Sequence, residues 1–341
     1  MSDDPKPDAA AAGPGAPKKN LLLKALVGLV ITAALVLFLF RYIDLEQLGR
    51  MLAGMRWSFY FLGLGSWIVV YIIRTFRFIL IAPRTPYATM LGITSVHNFL
   101  LRLLPLRTGE LSYAFLVRRA GTAGLGESLL GLMLLRAMDA TCVVVLFTAA
   151  LALHSGVYMA DRRLGIIAAG ATALLGGVVA FSLARLLRLA LRLGRGLLEA
   201  VGLGRRPGVQ RALARVGESV AAVEAIRGGT LLRIAGISLV QWLLTFAAFF
   251  VIMRAFSMPV GIAQTVLGST AAVVTGFLPI GGIGSFGTLE AGWALGFVLV
   301  GLDRERAVAS GFGVSITTFT YAAVLGLLGW IGLWLINKRK R

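Results

Sequence analysis

The feature that most constrains this chain is an apolar stretch that cannot run as one continuous membrane helix. Between Phe277 and Glu290, a hydrophobic region carries Pro279, Gly281, Gly282, Gly284, Gly287 and a single carboxylate, Glu290. In hydrocarbon, every backbone N–H and C=O must be satisfied within the protein, and a proline removes one donor and disturbs the turn before it. The segment therefore reads as broken and re-entrant, shielded by other helices, with Glu290 held at membrane depth. A second stretch has the same character: Leu104-Pro105-Leu106-Arg107-Thr108-Gly109-Glu110 sets Leu-Pro, Gly and Glu in hydrophobic surroundings. Two interrupted hydrophobic segments in corresponding parts of two halves point to a transporter's binding site.

The rest of the chain fits a polytopic membrane protein. Hydrophobic residues make up 58% of it and charged residues only 14%, which excludes an ordinary soluble domain. The net charge of +19 does not signal nucleic acid, because the basic residues flank apolar runs; they report topology and attraction to anionic headgroups. Cys142 is the sole cysteine and His97 and His154 the only histidines, so neither an internal disulfide nor a metal cluster is expected. No cofactor is expected either. Gly282-x-Gly284-x-x-Gly287 formally matches a dinucleotide fingerprint, but it lacks the soluble βαβ setting that motif requires.

Taken in order, residues 1–20 are Ala/Pro/Gly-rich and read as a disordered cytoplasmic tail. Residues 21–341 form a single membrane domain. Apolar runs at 21–40, 58–82, 128–153, 163–185, 231–255 and 308–336 give about six full crossings at ~20 residues each. Residues 87–120 and 262–300 are hydrophobic but interrupted, and read as re-entrant hairpins. Within the segment 186–230 and at its edge, Arg185, Arg188, Arg192 and Arg195 recur among leucines, as in a basic amphipathic helix on the cytoplasmic membrane surface. A second helix around 209–226 puts Leu213, Val216, Val220 and Val223 on one side. With both termini cytoplasmic, the hairpins enter from opposite faces, the relation expected of an inverted repeat. The expected fold class is thus all-α: six crossings and two opposed hairpins.

Charges at membrane depth cost about 2.5–3.5 kcal/mol each on insertion scales and need partners or a wet cavity. Arg74 and Arg77 lie three apart on the second crossing; they either snorkel to the surface or form a cationic site for a phosphate. Arg136 and Asp139, at i and i+3, can pair with each other, as can Arg107 and Glu110. Glu290 has no basic neighbour in sequence, so it needs a distant arginine or a proton of its own. It is the expected proton carrier, or the partner of Arg107 across the pseudo-symmetry axis. A helix beginning near Ser285 would aim N–H groups at an anion, with Gly282 and Gly284 permitting close approach.

These pieces resemble the flippase-like integral membrane family that includes the transmembrane region of lysylphosphatidylglycerol synthetases. The resemblance rests on Arg74-x-x-Arg77, Arg107-x-Gly109-Glu110-Leu111, Arg136-x-x-Asp139, and Pro279-x-Gly281-Gly282-x-Gly284 followed by Glu290. It implies a bacterial inner-membrane protein that moves an anionic phospholipid, or a polyprenyl-phosphate-linked headgroup, between leaflets, beside a lipid-synthesis enzyme. It also implies that Arg107, Glu110 and Glu290 lie in a central cavity. Ser112 and Tyr113 stand where the family often has an arginine, and Ser285–Leu289 lengthen the gap before Glu290, which bears on headgroup preference. No aminoacyl-transferase domain follows, so lysine transfer is not expected; the other reading is a membrane enzyme or accessory in sugar or acyl transfer to a lipid carrier, with Glu110 or Asp139 as base.

Overall fold

Apolar runs in lipid fold as helices because a helix satisfies its own backbone. The computed structural model describes residues 45–104, 108–153, scattered positions between 167 and 189, and residues 191–202, 206–226, 228–277 and 287–339. The described residues are helical with short turns and hold no strand. In chain order they form α1 (Leu45–Ala53), α2 (Trp57–Ile81), α3 (Tyr87–Leu103), α4 (Glu110–Arg119), α5 (Leu125–Leu153), α6 (Pro207–Glu224), α7 (Gly228–Ala255), α8 (Ile262–Phe277), α9 (Thr288–Leu299) and α10 (Arg304–Arg339).

The helices α2, α5, α7 and α10 are long and apolar enough to cross a membrane. They coincide with the crossings expected at 58–82, 128–153, 231–255 and 308–336. The crossing expected at 21–40 lies outside the described residues, and that at 163–185 is described only at scattered helical positions. Where interrupted segments were expected, the chain forms two pairs of shorter helices, α3 packed on α4 and α8 packed on α9. At 1.5 Å per residue α4 is about 15 Å long and α9 about 18 Å, short of a ~30 Å hydrocarbon core. The breaks themselves, 105–107 and 278–286, lie outside the described residues.

Small residues draw the helices together. A Cβ on Gly296 of α9 would lie 2.0 Å from the Gly268 carbonyl oxygen of α8, and one on Gly329 of α10 would lie 2.6 Å from Ser95 Cβ of α3. Without a hydrophobic drive between helices in lipid, such backbone-close contacts supply the dispersion that holds them. Arg56 N–H donates to the Ala255 carbonyl at 2.9 Å, tying the start of α2 to the end of α7. The rings of Tyr60 and Tyr321 meet there at a tilt, their centroids 5.1 Å apart.

The core is divided by depth. One apolar cluster gathers Trp67 and Tyr71 of α2 with Ile252, Trp293, Phe297 and Val314. Another gathers Phe78 of α2 with Met90, Tyr113, Leu134 and Ile234. Between them, in the order of α2 itself, come Arg74 and Arg77. The same interruption falls near the midpoints of α5, at Asp139, and of α7, at Gln241 and Trp242. The polar side chains therefore share one layer, with apolar packing on both sides.

On the surface, α6 leans on the start of α5. Of its expected apolar side, Val220 is buried and Leu213 half-buried, while Val216 is exposed. Residues 191–200 are helical, and Arg188, Arg192 and Arg195 are exposed alongside exposed Leu189, Leu193 and Leu197. That pairing of leucines and arginines suits a helix lying on a lipid surface.

Candidate functional site

Arg77 organises the polar layer. It is only 2% exposed, and its Nη1 donates to Asp139 Oδ1 at 2.6 Å and to Gln241 Oε1 at 2.8 Å. Asp139 Oδ1 also accepts from Trp242 Nε1 at 2.8 Å. One guanidinium thus joins α2, α5 and α7. A charge buried this deeply requires an opposite charge and hydrogen bonds to offset lost hydration, and Arg77 has both. Trp242→Phe keeps the ring and deletes the donor; hydrogen bonds to charged groups contribute about 1.5–3 kcal/mol, so that loss of unfolding free energy is expected in denaturation of the detergent-purified protein.

One turn earlier, Arg74 donates to Asn98 Oδ1 of α3. The Asn98 amide in turn donates to the Thr94 carbonyl at 2.7 Å, which fixes its orientation. His97, beside Asn98, has Nδ1 3.0 Å from Ser112 Oγ. Ser112 gives its one hydroxyl proton to the Gly109 carbonyl at 2.6 Å, so it accepts from His97 Nδ1–H. Gly109 permits this joint: a Cβ there would lie 2.4 Å from the Leu100 carbonyl oxygen. Arg136 of α5 meets Glu110 of α4 at 3.6 Å, both partly exposed.

The ion pairs differ from those the sequence suggests. Arg136 and Asp139 do not pair with each other: Asp139 pairs with Arg77 and Arg136 with Glu110. Spacing on one helix allows an i, i+3 contact, but here the buried Arg77 of α2 and Trp242 of α7 converge on the Asp139 carboxylate from the opposite side. Nor does Arg77 snorkel to the surface, since it is sealed in the bundle. Arg74, Arg77, Arg136, His97, Asn98 and Asp139 line a cavity of about 20 Å³, enough for one water. Within it, Arg77 Nε and Arg136 Nε have no hydrogen-bonding partner. Around this point three arginines stand against the carboxylates of Asp139 and Glu110, so positive charge is in excess among the described residues.

Glu290 forms a second centre. It is 1% exposed and sits in the first turn of α9, where its Oε2 accepts the Gly287 N–H at 2.6 Å. Gly287 has φ 97°, a left-handed conformation that suits glycine. The carboxylate thus closes the start of its own helix, where unpaired N–H groups and the positive dipole end favour an anion. Ser315 Oγ of α10 faces the carboxylate as a weak hydrogen-bonding neighbour, and neither it nor Glu290 Oε1 makes a hydrogen bond of good geometry. Among the described residues, Glu290 is reached by the charge of Arg102, in the last turn of α3. Sequence reasoning passed over this residue; the available signal was a cation one turn before the Leu104-Pro105 break. The charges of both Arg102 and Arg74 reach Tyr71 as well.

The structure therefore brings Arg74, Arg77, Glu110, Arg136 and Asp139 together, with Glu290 within electrostatic reach of Arg102. Arg107, Gly282, Gly284 and Ser285 lie outside the described residues. Among the described residues no group of His, Cys, Asp and Glu could hold a metal ion. The sequence profile described as the lysylphosphatidylglycerol synthase TM region matches residues 25–326. No curated protein and no solved structure matches the chain.

Proposed function

We propose that this chain, which belongs to the family of lysylphosphatidylglycerol synthase transmembrane regions, moves an anionic lipid headgroup between the two leaflets of a membrane. The observation that carries this reading is the excess of arginine in the polar layer, where Arg77 is buried, Arg74 and Arg136 are half-buried, and the Nε atoms of Arg77 and Arg136 have no hydrogen-bonding partner. Buried charge in a membrane domain is costly and marks a substrate or ion path. A phosphate is the ligand that planar guanidinium groups recognise best. Arg77 is fixed by Asp139, so it holds the layer in register; Arg74 and Arg136, held by Asn98 and the partly exposed Glu110, are the groups free to exchange partners with a phosphate. Glu290 acts as the charge relay, taking up Arg102 or a proton as the site empties. In this reading α3/α4 and α8/α9 are the two opposed re-entrant hairpins, the acyl chains remain in lipid, and the membrane is the inner membrane of a bacterium with both chain termini in the cytoplasm. A lipid-synthesis enzyme supplies the headgroup.

The test is a leaflet-exchange assay on the full chain in vesicles containing phosphatidylglycerol with a fluorescent headgroup, quenched from outside by a membrane-impermeant reductant. Wild type should expose the inner-leaflet label. Glu290→Gln, which preserves the cap acceptor but not the charge, should slow exposure at least about tenfold, equivalent to ~1.4 kcal/mol. Arg74→Gln should do the same. Exchange at the rate of empty vesicles by wild type, or at the wild-type rate by both variants, overturns the reading.

A further inference from the structure

Away from the charged layer, a groove of about 470 Å³ lies between α2, α3 and α10. Its walls are nearly all apolar, with Ile72, Leu91, Gly92, Leu328 and Gly332 among them, and Arg339 lies at one end. Along α10 it extends from Leu325 to Arg339, about 21 Å at 1.5 Å per residue. One leaflet of a ~30 Å hydrocarbon core is about 15 Å deep, so the groove can take a full acyl chain. Tyr71 lines it as well, its ring centroid 6.0 Å from the Arg74 guanidinium carbon.

We propose that this groove holds one acyl chain of an anionic glycerophospholipid, with the phosphate against Arg339, in the leaflet on the basic side of the bundle. Two features select this occupant over a zwitterionic lipid or a second copy of the chain. The mouth is cationic, with Lys338 and Arg339 both exposed in the last turn of α10, and basic side chains at the headgroup level attract anionic lipid. The groove is also open at Gly332, where nothing lies within 4 Å of a Cβ, whereas neighbouring Gly329 is pressed against α3. Hydrocarbon fits apolar walls that water leaves unsatisfied. This inference goes beyond the transport reading and does not depend on it.

Native mass spectrometry of the full chain in detergent, titrated with phosphatidylglycerol or phosphatidylcholine of the same acyl chains, tests it. Wild type should retain phosphatidylglycerol in preference. Gly332→Phe, which fills the groove without a clash, should lower retention of both lipids about tenfold, or ~1.4 kcal/mol. Gly65→Phe, exposed on α2 and free of contacts outside the groove, should leave retention unchanged. Arg339→Gln should lower the preference for phosphatidylglycerol about fivefold, the attraction of one basic side chain near a membrane surface. Equal retention of the two lipids by wild type, unchanged retention in Gly332→Phe, or a dimer whose interface is lost in Gly332→Phe overturns the proposal. A chain that holds lipid here yet fails to exchange it between leaflets leaves this inference standing and removes the transport reading.

Discussion

Asp139→Ala is expected to lower the unfolding free energy of the purified protein by about 3–5 kcal/mol, because it leaves a buried guanidinium without its carboxylate. Arg77 is sealed between two apolar clusters, and the Trp242 indole N–H shares the same Asp139 oxygen, so both donors lose their acceptor together. The informative companion is the double variant Arg77→Met/Asp139→Leu. Replacing a whole buried ion pair by apolar side chains of similar volume is often neutral, so the double variant should recover most of the stability lost in the single one. Denaturant titration in detergent separates the outcomes. A single variant as stable as wild type would show that the pair does not hold α2 to α5.

Gly296→Leu should be nearly as damaging, by a different route. The Cβ it introduces would sit 2.0 Å from the Gly268 carbonyl oxygen, a backbone atom that cannot rotate away. Overpacking of this kind costs typically 1–3 kcal/mol and more where backbone must move. α8 and α9 would have to separate, shifting Glu290 relative to Ser315 of α10, so leaflet exchange should fall together with thermal stability. Gly276→Leu is the control, since that position is exposed and has nothing within 4 Å of a Cβ. Equal melting temperatures for the two variants would mean that the close α8–α9 contact is not made in the membrane.

How far the sequence led depended on whether the physical signal was local. Crossings such as 58–82 and 231–255 were legible because lipid imposes a length on any apolar run, and α2 and α7 follow them within three residues at each end. The shortness of α4 and α9 was legible from Pro105 and from the glycines after Pro279. The partners were not. Arg136-x-x-Asp139 satisfies the geometry of a helix-surface pair, and nothing in its spacing reveals that Arg77, far earlier in the chain, approaches Asp139 more directly. Gln241 and Trp242 gave no signal, because an amide and an indole within an apolar helix are ordinary until something buried needs their polar atoms. Arg102 was hidden by emphasis on Arg107, five residues on.

The bond between Glu290 and the Gly287 N–H makes one carboxylate serve two demands. While it closes α9, the helix start at Gly287 keeps its left-handed turn; any cation or proton that claims the same oxygen loosens that turn. Under the transport reading proposed above, occupancy of the Glu290 site competes directly with the closure of α9, so an electrical event would be felt at a single hydrogen bond.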